Sequence, residues 1–242
     1  MTFDLWLLLV AVAAGGVAAI SGFGIGSLLT PLLVLQLDTK LAVAVVAIPH
    51  AVATAYRFWL LRAHLDRHVL AGFGVSSAIG GLLGAVLHAY APVRALTLVF
   101  GILLVFVGAS GLSGLAEHLR FRGPWAWGAG ALSGLLGGLV GNQGGIRSAA
   151  LLGFDVSKEA FVATATAIGL MVDAARLPVY LFTQGEAIAS QWPLVAIATV
   201  GVLVGTVAGS RVLRRIPDAV YRPTVAGIIL ALGLAMLARA LL

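Results

Sequence analysis

The chain has 242 residues, of which 61% are hydrophobic and 10% are charged, with a mean hydropathy of +1.08. These values lie outside the range of soluble globular domains and predict an integral membrane protein, in which the formal net charge of +6 reflects basic loops rather than a nucleic-acid partner. The chain has no cysteine, which excludes disulfides, thiolate metal sites and a cysteine nucleophile.

Stretches without Asp, Glu, Lys or Arg recur along the whole chain, and each approaches or exceeds the roughly 20 residues that a helix needs to cross a bilayer. In chain order they are 5–37, 69–93, 95–116, 123–146, 187–210 and 223–238. The first stretch is predicted to belong to the mature fold, because a secretory signal would begin with a basic residue and here Asp4 stands instead.

The two halves of the sequence resemble each other in the order of their unusual residues, which indicates an internal repeat. The matched pairs are Gly22 with Gly141, Gly26 with Gly145, Asp38 with Asp155, Lys40 with Lys158, Arg57 with Arg176, Gly80 with Gly205, Gly84 with Gly209, and Pro92 with Pro217. We therefore predict one integral membrane domain made of two repeats, over residues 1–118 and 119–242.

The 15 basic residues predict how the chain crosses the membrane, because Lys and Arg in short loops stay on the cytoplasmic side. The group placed inside is Arg62, Arg67, Arg120, Arg122, Lys158, Arg211, Arg214, Arg215 and Arg222. The group placed outside is Lys40, Arg94 and Arg239. This grouping requires residues 125–154 to enter from the cytoplasm and return to it, so we predict a re-entrant hairpin there.

The length of 125–154 agrees with a hairpin, because one continuous helix would be about 45 Å long, too long for one upright crossing of a core of about 30 Å. By the repeat, residues 5–37 should form a similar hairpin from the outer face. Three crossing helices are expected in each half: 41–62, 68–89 and 93–115, then 158–182, 189–210 and 220–241. Because three is odd, the predicted all-α polytopic fold has inverted repeats, as many secondary transporters do.

Three arginines, Arg57, Arg147 and Arg176, lie within the apolar segments, where Asp173 is the clearest acidic residue. Ionisable side chains at membrane depth are costly and usually face a cavity or a partner. A surplus of buried positive charge suits an anion, and glycine-rich turns with helix N-termini add N–H groups that favour negative charge.

Helical spacing brings further candidates onto common faces. One face carries His50, Thr54 and Arg57, and the matching helix of the second half carries Gly169, Asp173, Arg176 and Tyr180. Asn142 and Gln143 offer amide donors in the predicted turn, and Thr164 and Thr166 lie on the next helix.

Structural roles stay open for several of these residues. Asp173 and Arg176, at i and i+3, also fit a structural ion pair. Arg57 also fits a side chain that extends towards the inner surface near Arg62. His50 fits a packing residue as well as a proton carrier. Arg147 has the weakest structural explanation, because a turn at depth offers it no polar surface.

The segments SGFGIGSLLTPLLVL and GLLGGLVGNQGGIRSAALLGFDVSKEAFVATAT resemble the paired glycine-rich motifs of the sulfite exporter TauE/SafE family of membrane permeases. The resemblance covers nearly the whole chain and implies transport of sulfite or small organosulfonates, usually outward. The positions that match the family pattern are Gly22, Gly24, Gly26, Pro31, Gly141, Gly144, Gly145 and Thr164. The chain departs from the pattern at Ala150, the counterpart of Pro31, and at Asn142, Gln143 and Arg147, which bears on the substrate more than on the fold.

We therefore predict a secondary transporter that exports sulfite or a small organosulfonate by alternating access across the bacterial cytoplasmic membrane, with an anion-selective channel as the alternative. The predicted substrate-binding residues are Gly24, Gly26, Arg57, Asn142, Gln143, Gly144, Gly145, Arg147, Thr164, Thr166 and Arg176, and His50 and Asp173 are predicted to couple transport to protons. The partners are the small anion and the lipid bilayer, and the sequence leaves homo-oligomerisation open. We expect no cofactor, no metal and no enzymatic activity, because no catalytic set stands at workable spacing.

Overall fold

The structure, a computed structural model, describes residues 2–115, 124–151, 154, 157–209 and 217–241. Within these ranges it contains helices and no strand. The helices are α1 (Thr2–Ser21), α2 (Ile25–Leu33), α3 (Thr39–Leu61), α4 (Arg67–Tyr90), α5 (Val93–Ser113), α6 (Pro124–Val140), α7 (Gly144–Leu151), α8 (Lys158–Ser190), α9 (Trp192–Val204) and α10 (Asp218–Leu241). A 3₁₀ turn, Arg62–His64, follows α3, and π-helical turns occupy Leu70–Gly74 within α4 and Gly205–Gly209 after α9.

Six helices in the described part of the chain are long and apolar enough to cross a membrane: α1, α3, α4, α5, α8 and α10. The predicted all-helical, polytopic membrane fold is confirmed at this level. The predicted cytoplasmic residues Arg120, Arg122, Arg211, Arg214 and Arg215, and Asp155 of the repeat, lie outside the described residues.

The predicted boundaries around α8 and α9 hold to within three residues. The helix expected to end at residue 182 reaches a kink at Gln184, with φ −138° and ψ 18°, where it joins a second short helix that runs to Ser190. Gly185 follows the kink directly. The next helix begins at Trp192, three residues later than predicted, with a proline in its first turn.

Short polar residues cap the helices that lead into the membrane segments. The Asp38 carboxylate accepts a hydrogen bond from the Leu41 N–H at the start of α3, and the Asp66 carboxylate accepts two at the start of α4. The Ser157 hydroxyl accepts one at the start of α8. Each cap satisfies an N–H that has no partner inside its own helix.

Side-chain contacts define two ends of the helix bundle. At the first end, Lys40 Nζ donates to the Ala89 carbonyl at 2.6 Å, and Arg94 Nε donates to the Ala240 carbonyl at 3.0 Å. At the second end, the Asp66 N–H donates to the Thr164 hydroxyl at 3.0 Å. Lys40 and Arg94 were both predicted on the outer face, and the structure places both at the first end.

The chain around α6 and α7 begins and ends at the second end. Trp127, near the start of α6, lies against Gly72, and a Cβ atom on that glycine would stand 3.0 Å from Trp127 Nε1. Phe154, after α7, packs edge to face on Phe73 with 6.4 Å between ring centroids. Gly72 and Phe73 are neighbours in α4, so this segment enters and leaves at one place, the course expected of a hairpin.

Corresponding helices of the two halves make corresponding contacts. α6 packs along α4 in the same direction, and a Cβ atom on Gly80 would stand 2.1 Å from the Ala131 carbonyl oxygen. α1 packs along α9 in the same way, and a Cβ atom on Gly205 would stand 1.9 Å from the Val12 carbonyl oxygen. Gly80 and Gly205 are a matched pair of the sequence repeat. The inverted relation of the halves stays a prediction, which this correspondence supports.

Candidate functional site

Two helix breaks, each introduced by glycine, meet inside the bundle. The first lies between α1 and α2, where Gly22 and Gly24 have φ of 77° and 127°. The second lies between α6 and α7, where Gly141 has φ of 74°. Positive φ is unfavourable for residues with a Cβ atom, so these glycines allow the chain to leave one helix and start the next.

The two breaks touch each other through backbone and short side chains. The Asn142 amide nitrogen donates to the Ser27 hydroxyl at 3.0 Å. A Cβ atom on Gly26 would stand 2.4 Å from the Gly141 carbonyl oxygen, and one on Gly144 would stand 2.0 Å from Phe23 Cβ. No larger residue fits at either glycine without moving the two breaks apart.

A small cavity of about 10 Å³ lies where the breaks meet. Its lining residues are Phe23, Gly24, Gly26, Ser27, His50, Gly141, Asn142, Gln143, Gly144 and Arg147. A cavity of this size holds about one water molecule, so any anion that enters it must move the two breaks apart. Seven of the predicted site residues line it, and they come from both halves of the chain.

Arg147 is the positively charged residue of the cavity lining. It is 2% exposed, and its Nη2 donates to the Gly22 carbonyl at 2.9 Å. Its Nε and Nη1 atoms have no hydrogen-bond partner among the described residues, and no described carboxylate lies within 4.0 Å of it. Burying a guanidinium with two unpaired N–H-bearing nitrogens costs free energy unless a negatively charged group binds to it.

Further donors stand beside Arg147. The Gln143 side-chain amide is buried and neither of its polar atoms has a partner within the described ranges. α7 begins at Gly144, and the first N–H groups of a helix have no acceptor within that helix. α2 begins at Ile25 on the other side of the cavity, so two helix N-termini with their partial positive charge adjoin it.

Asp173 joins α3 to α8 behind the cavity. Its Oδ2 lies 2.7 Å from His50 Nδ1, and its Oδ1 lies 2.8 Å from Arg176 Nη2. Arg176 also donates from Nη1 to the Gly137 carbonyl at 2.8 Å. The ion pair that the i, i+3 spacing allowed is therefore present, and Arg176 has a compensating charge that Arg147 lacks in the described structure.

Arg57 is buried and directed inwards. Its Nη1 donates to the Ala18 carbonyl, and its Nη2 donates to the Thr54 hydroxyl at 3.2 Å. The alternative in which Arg57 extends to the inner surface is therefore wrong, because an acceptor in α1 holds its guanidinium inside the bundle. Arg57 is not among the residues that line the cavity.

Thr164 and Thr166 lie apart from the cavity lining. The Thr164 hydroxyl accepts from the Asp66 N–H at the second end of the bundle, and the Thr166 hydroxyl donates to the Val162 carbonyl of its own helix. Gly145 contacts Val107 of α5, where an added Cβ atom would stand 2.6 Å from its side chain.

Two residues of the cavity lining, Ser27 and Phe23, were not predicted from the sequence. Ser27 accepts the Asn142 hydrogen bond, and Phe23 covers Gly144. The sequence carried a signal for Ser27, since a polar residue directly after GFGIG parallels the amides beside the second break. Phe23 carried no such signal, because an aromatic residue in an apolar segment is ordinary.

Comparison with known families identifies the family of the chain. The family model for the sulfite exporter TauE/SafE matches residues 7–236, nearly the whole chain. No curated protein and no solved structure matches the chain significantly. The match confirms the resemblance seen in the two glycine-rich segments and places the protein among membrane permeases that transport sulfite and related anions. The chain belongs to the sulfite exporter TauE/SafE family.

Proposed function

We propose that this protein is a secondary transporter that exports sulfite or a small organosulfonate across the bacterial cytoplasmic membrane by alternating access. The observation that carries the proposal is Arg147, which is buried in a cavity between two helix breaks and has two nitrogens without a partner among the described residues. An oxyanion would supply both the missing acceptors and the missing negative charge.

In this proposal the anion occupies the cavity, with its oxygens accepting from Arg147 and from the Gln143 amide. The N–H groups at the start of α7, at Gly144 and Gly145, and the start of α2 beyond Gly24 add favourable partial charge. Sulfite and the sulfonate group both carry three oxygens around one sulfur, so several donors can bind at once. The cavity of about 10 Å³ must widen to admit the anion, which favours a small anion over a bulky one.

His50 and Asp173 are the proposed sites of proton coupling. His50 lines the cavity, and its Nδ1 lies 2.7 Å from the Asp173 carboxylate. A proton gained by this pair would raise the positive charge beside the anion, and a proton lost would lower it. The pair therefore links the protonation state of the protein to the anion's affinity.

The test is uptake and counterflow of radiolabelled sulfite in liposomes that contain the purified protein, compared with Arg147→Gln. We expect saturable counterflow, and a loss of about tenfold or more in sulfite affinity for Arg147→Gln, because a charge-assisted hydrogen bond is lost. The matched control is Arg62→Gln, since Arg62 is an exposed arginine that stacks on Trp59.

Two results would contradict the proposal. If Arg147→Gln binds sulfite, sulfoacetate, taurine and sulfate as tightly as the parent, the site assignment is wrong. If the protein gives single-channel anion currents and no counterflow, the carrier mechanism is wrong and the channel alternative is correct.

A further inference from the structure

The first hairpin comprises α1 and α2, and the second comprises α6 and α7. In each hairpin the longer helix, α1 or α6, ends at a carbonyl that is bound in the same way. In the first hairpin, the Ala18 carbonyl accepts from the Gly22 N–H at 3.0 Å and also from Arg57. The Gly22 bond is the last helical hydrogen bond before the break. Arg57 therefore binds the first hairpin where its long helix stops.

The second hairpin repeats this arrangement. The Gly137 carbonyl accepts from the Gly141 N–H at 3.0 Å and from Arg176 Nη1 at 2.8 Å. Again one carbonyl takes both the last helical hydrogen bond and a guanidinium donor from the helix that follows the hairpin.

All three positions correspond across the repeat. Ala18 with Gly137, Gly22 with Gly141, and Arg57 with Arg176 are each separated by 119 positions in the sequence. The helix position that assists each arginine corresponds as well: Thr54 bonds Arg57, and Asp173, again 119 positions later, pairs with Arg176. A chance helix cap would not recur with the same carbonyl, the same glycine and the same i−3 partner.

A guanidinium at this place has a clear physical effect. The end of a helix carries partial negative charge on its last carbonyls, and a cation beside them is favourable. A carbonyl buried inside the bundle is costly to leave without a donor, so the effect is larger than at a surface. The donor also fixes the angle at which the chain leaves the helix.

We propose that Arg57 and Arg176 are equivalent positioning residues, each of which fixes one helix break by binding the carbonyl that takes the last hydrogen bond of the broken helix. They act on the anion site through the breaks, because the Gly22 carbonyl accepts from Arg147 and Gly141 lines the cavity together with Gln143. The inference rests on the proposed function only for its sulfite readout.

The test is hydrogen–deuterium exchange of the protein in lipid nanodiscs without substrate, read on peptides that cover residues 18–24 and 137–143. Arg57→Met should accelerate exchange in 18–24 by about tenfold or more, equivalent to about 1.4 kcal/mol, and leave 137–143 nearly unchanged. Arg176→Met should do the reverse, so each variant is the control for the other.

Arg94→Met is a second control, since Arg94 also donates to a helix-end carbonyl, that of Ala240, but at the first end of the bundle and not at a break. It should change neither peptide. If Arg57→Met and Arg176→Met leave the exchange rates of both peptides as in the parent, or raise both rates equally, the inference is overturned.

The sulfite readout separates positioning from general folding. Arg57→Met should weaken sulfite binding, and Arg57→Lys should restore most of the affinity because it keeps a charged donor for the Ala18 carbonyl. Failure of the lysine to restore the affinity would overturn the inference.

If Arg176→Met does not fold, Arg176→Lys replaces it. The lysine ammonium cannot bind the Asp173 carboxylate and the Gly137 carbonyl at once as the planar guanidinium does, so residues 137–143 should still exchange faster than in the parent. Exchange needs no substrate, so a parent that binds no sulfite contradicts the proposed function alone.

Discussion

His50 and Asp173 are 123 positions apart in the chain, and His50 Nδ1 lies 2.7 Å from Asp173 Oδ2 where α3 packs on α8. The same carboxylate pairs through Oδ1 with Arg176, so one buried acid serves a histidine of the first half and an arginine of the second. The two halves are thus joined by a charged contact directly behind the cavity.

Asp173→Asn should destabilise the protein strongly. The amide has almost the same shape but leaves Arg176 as a buried cation without its counter-charge, and breaking a buried pair in this way costs about 3–5 kcal/mol. Thermal unfolding in detergent measures the loss, with Glu186→Gln as the control on the exposed end of α8. Equal melting temperatures for parent and Asp173→Asn would show that the pair is not stabilising.

His50→Gln should separate binding from proton coupling. The glutamine can still hydrogen-bond to Asp173 but cannot carry a proton, so we expect counterflow of sulfite to persist while its stimulation by a pH gradient is lost. His64→Gln, at an exposed turn, is the control and should keep the stimulation. Stimulation that survives in His50→Gln would place the coupling group elsewhere.

The outline of the fold and part of the site were predictable from the sequence for physical reasons. Apolar length predicts membrane helices, and the glycines of GNQGGIR predict a turn because few other residues allow positive φ. The role of Arg57 was not predictable, because its acceptor is the Ala18 backbone carbonyl and a carbonyl has no sequence signature. Thr164 illustrates the same limit, since its partner is the Asp66 N–H.

Gly144→Ala should abolish or severely reduce transport. The new Cβ atom would lie 2.0 Å from Phe23 Cβ, so the two breaks must separate, and overpacking of this kind costs about 1–3 kcal/mol. Gly128→Ala on α6 is the matched control, because an added Cβ atom meets no described atom within 4 Å there. Normal transport by Gly144→Ala would mean that the breaks do not need their close approach.

Gln143→Leu should weaken sulfite binding by about tenfold, because an amide donor is removed from the cavity, without a loss of stability. The stability should hold because the Gln143 amide has no partner in the described structure, so no internal hydrogen bond is broken. Isothermal titration with sulfite and a melting curve measure the two effects, with Gln36→Leu at an exposed position as the control. Unchanged affinity would remove Gln143 from the site.

Gly80→Ala should lower the melting temperature, because its Cβ atom would stand 2.1 Å from the Ala131 carbonyl oxygen and push α6 away from α4. Gly205→Ala should behave alike, since its Cβ atom would stand 1.9 Å from the Val12 carbonyl oxygen. The control is Gly227→Ala, which meets no described atom within 4 Å and gains helix propensity. A similar melting temperature for Gly80→Ala and Gly227→Ala would refute this packing role.

Glycine backbone forms much of the junction of the two breaks, since Gly24, Gly26, Gly141 and Gly144 all line the cavity there. Among the described residues, two side-chain hydrogen bonds cross it, from Asn142 to Ser27 and from Arg147 to Gly22. If the breaks part at this point, water or a bound oxyanion can take over the released donors and acceptors. Contacts between glycines bury less apolar surface than contacts between leucines, so separating them costs less free energy than separating the leucine-rich contacts elsewhere in the bundle.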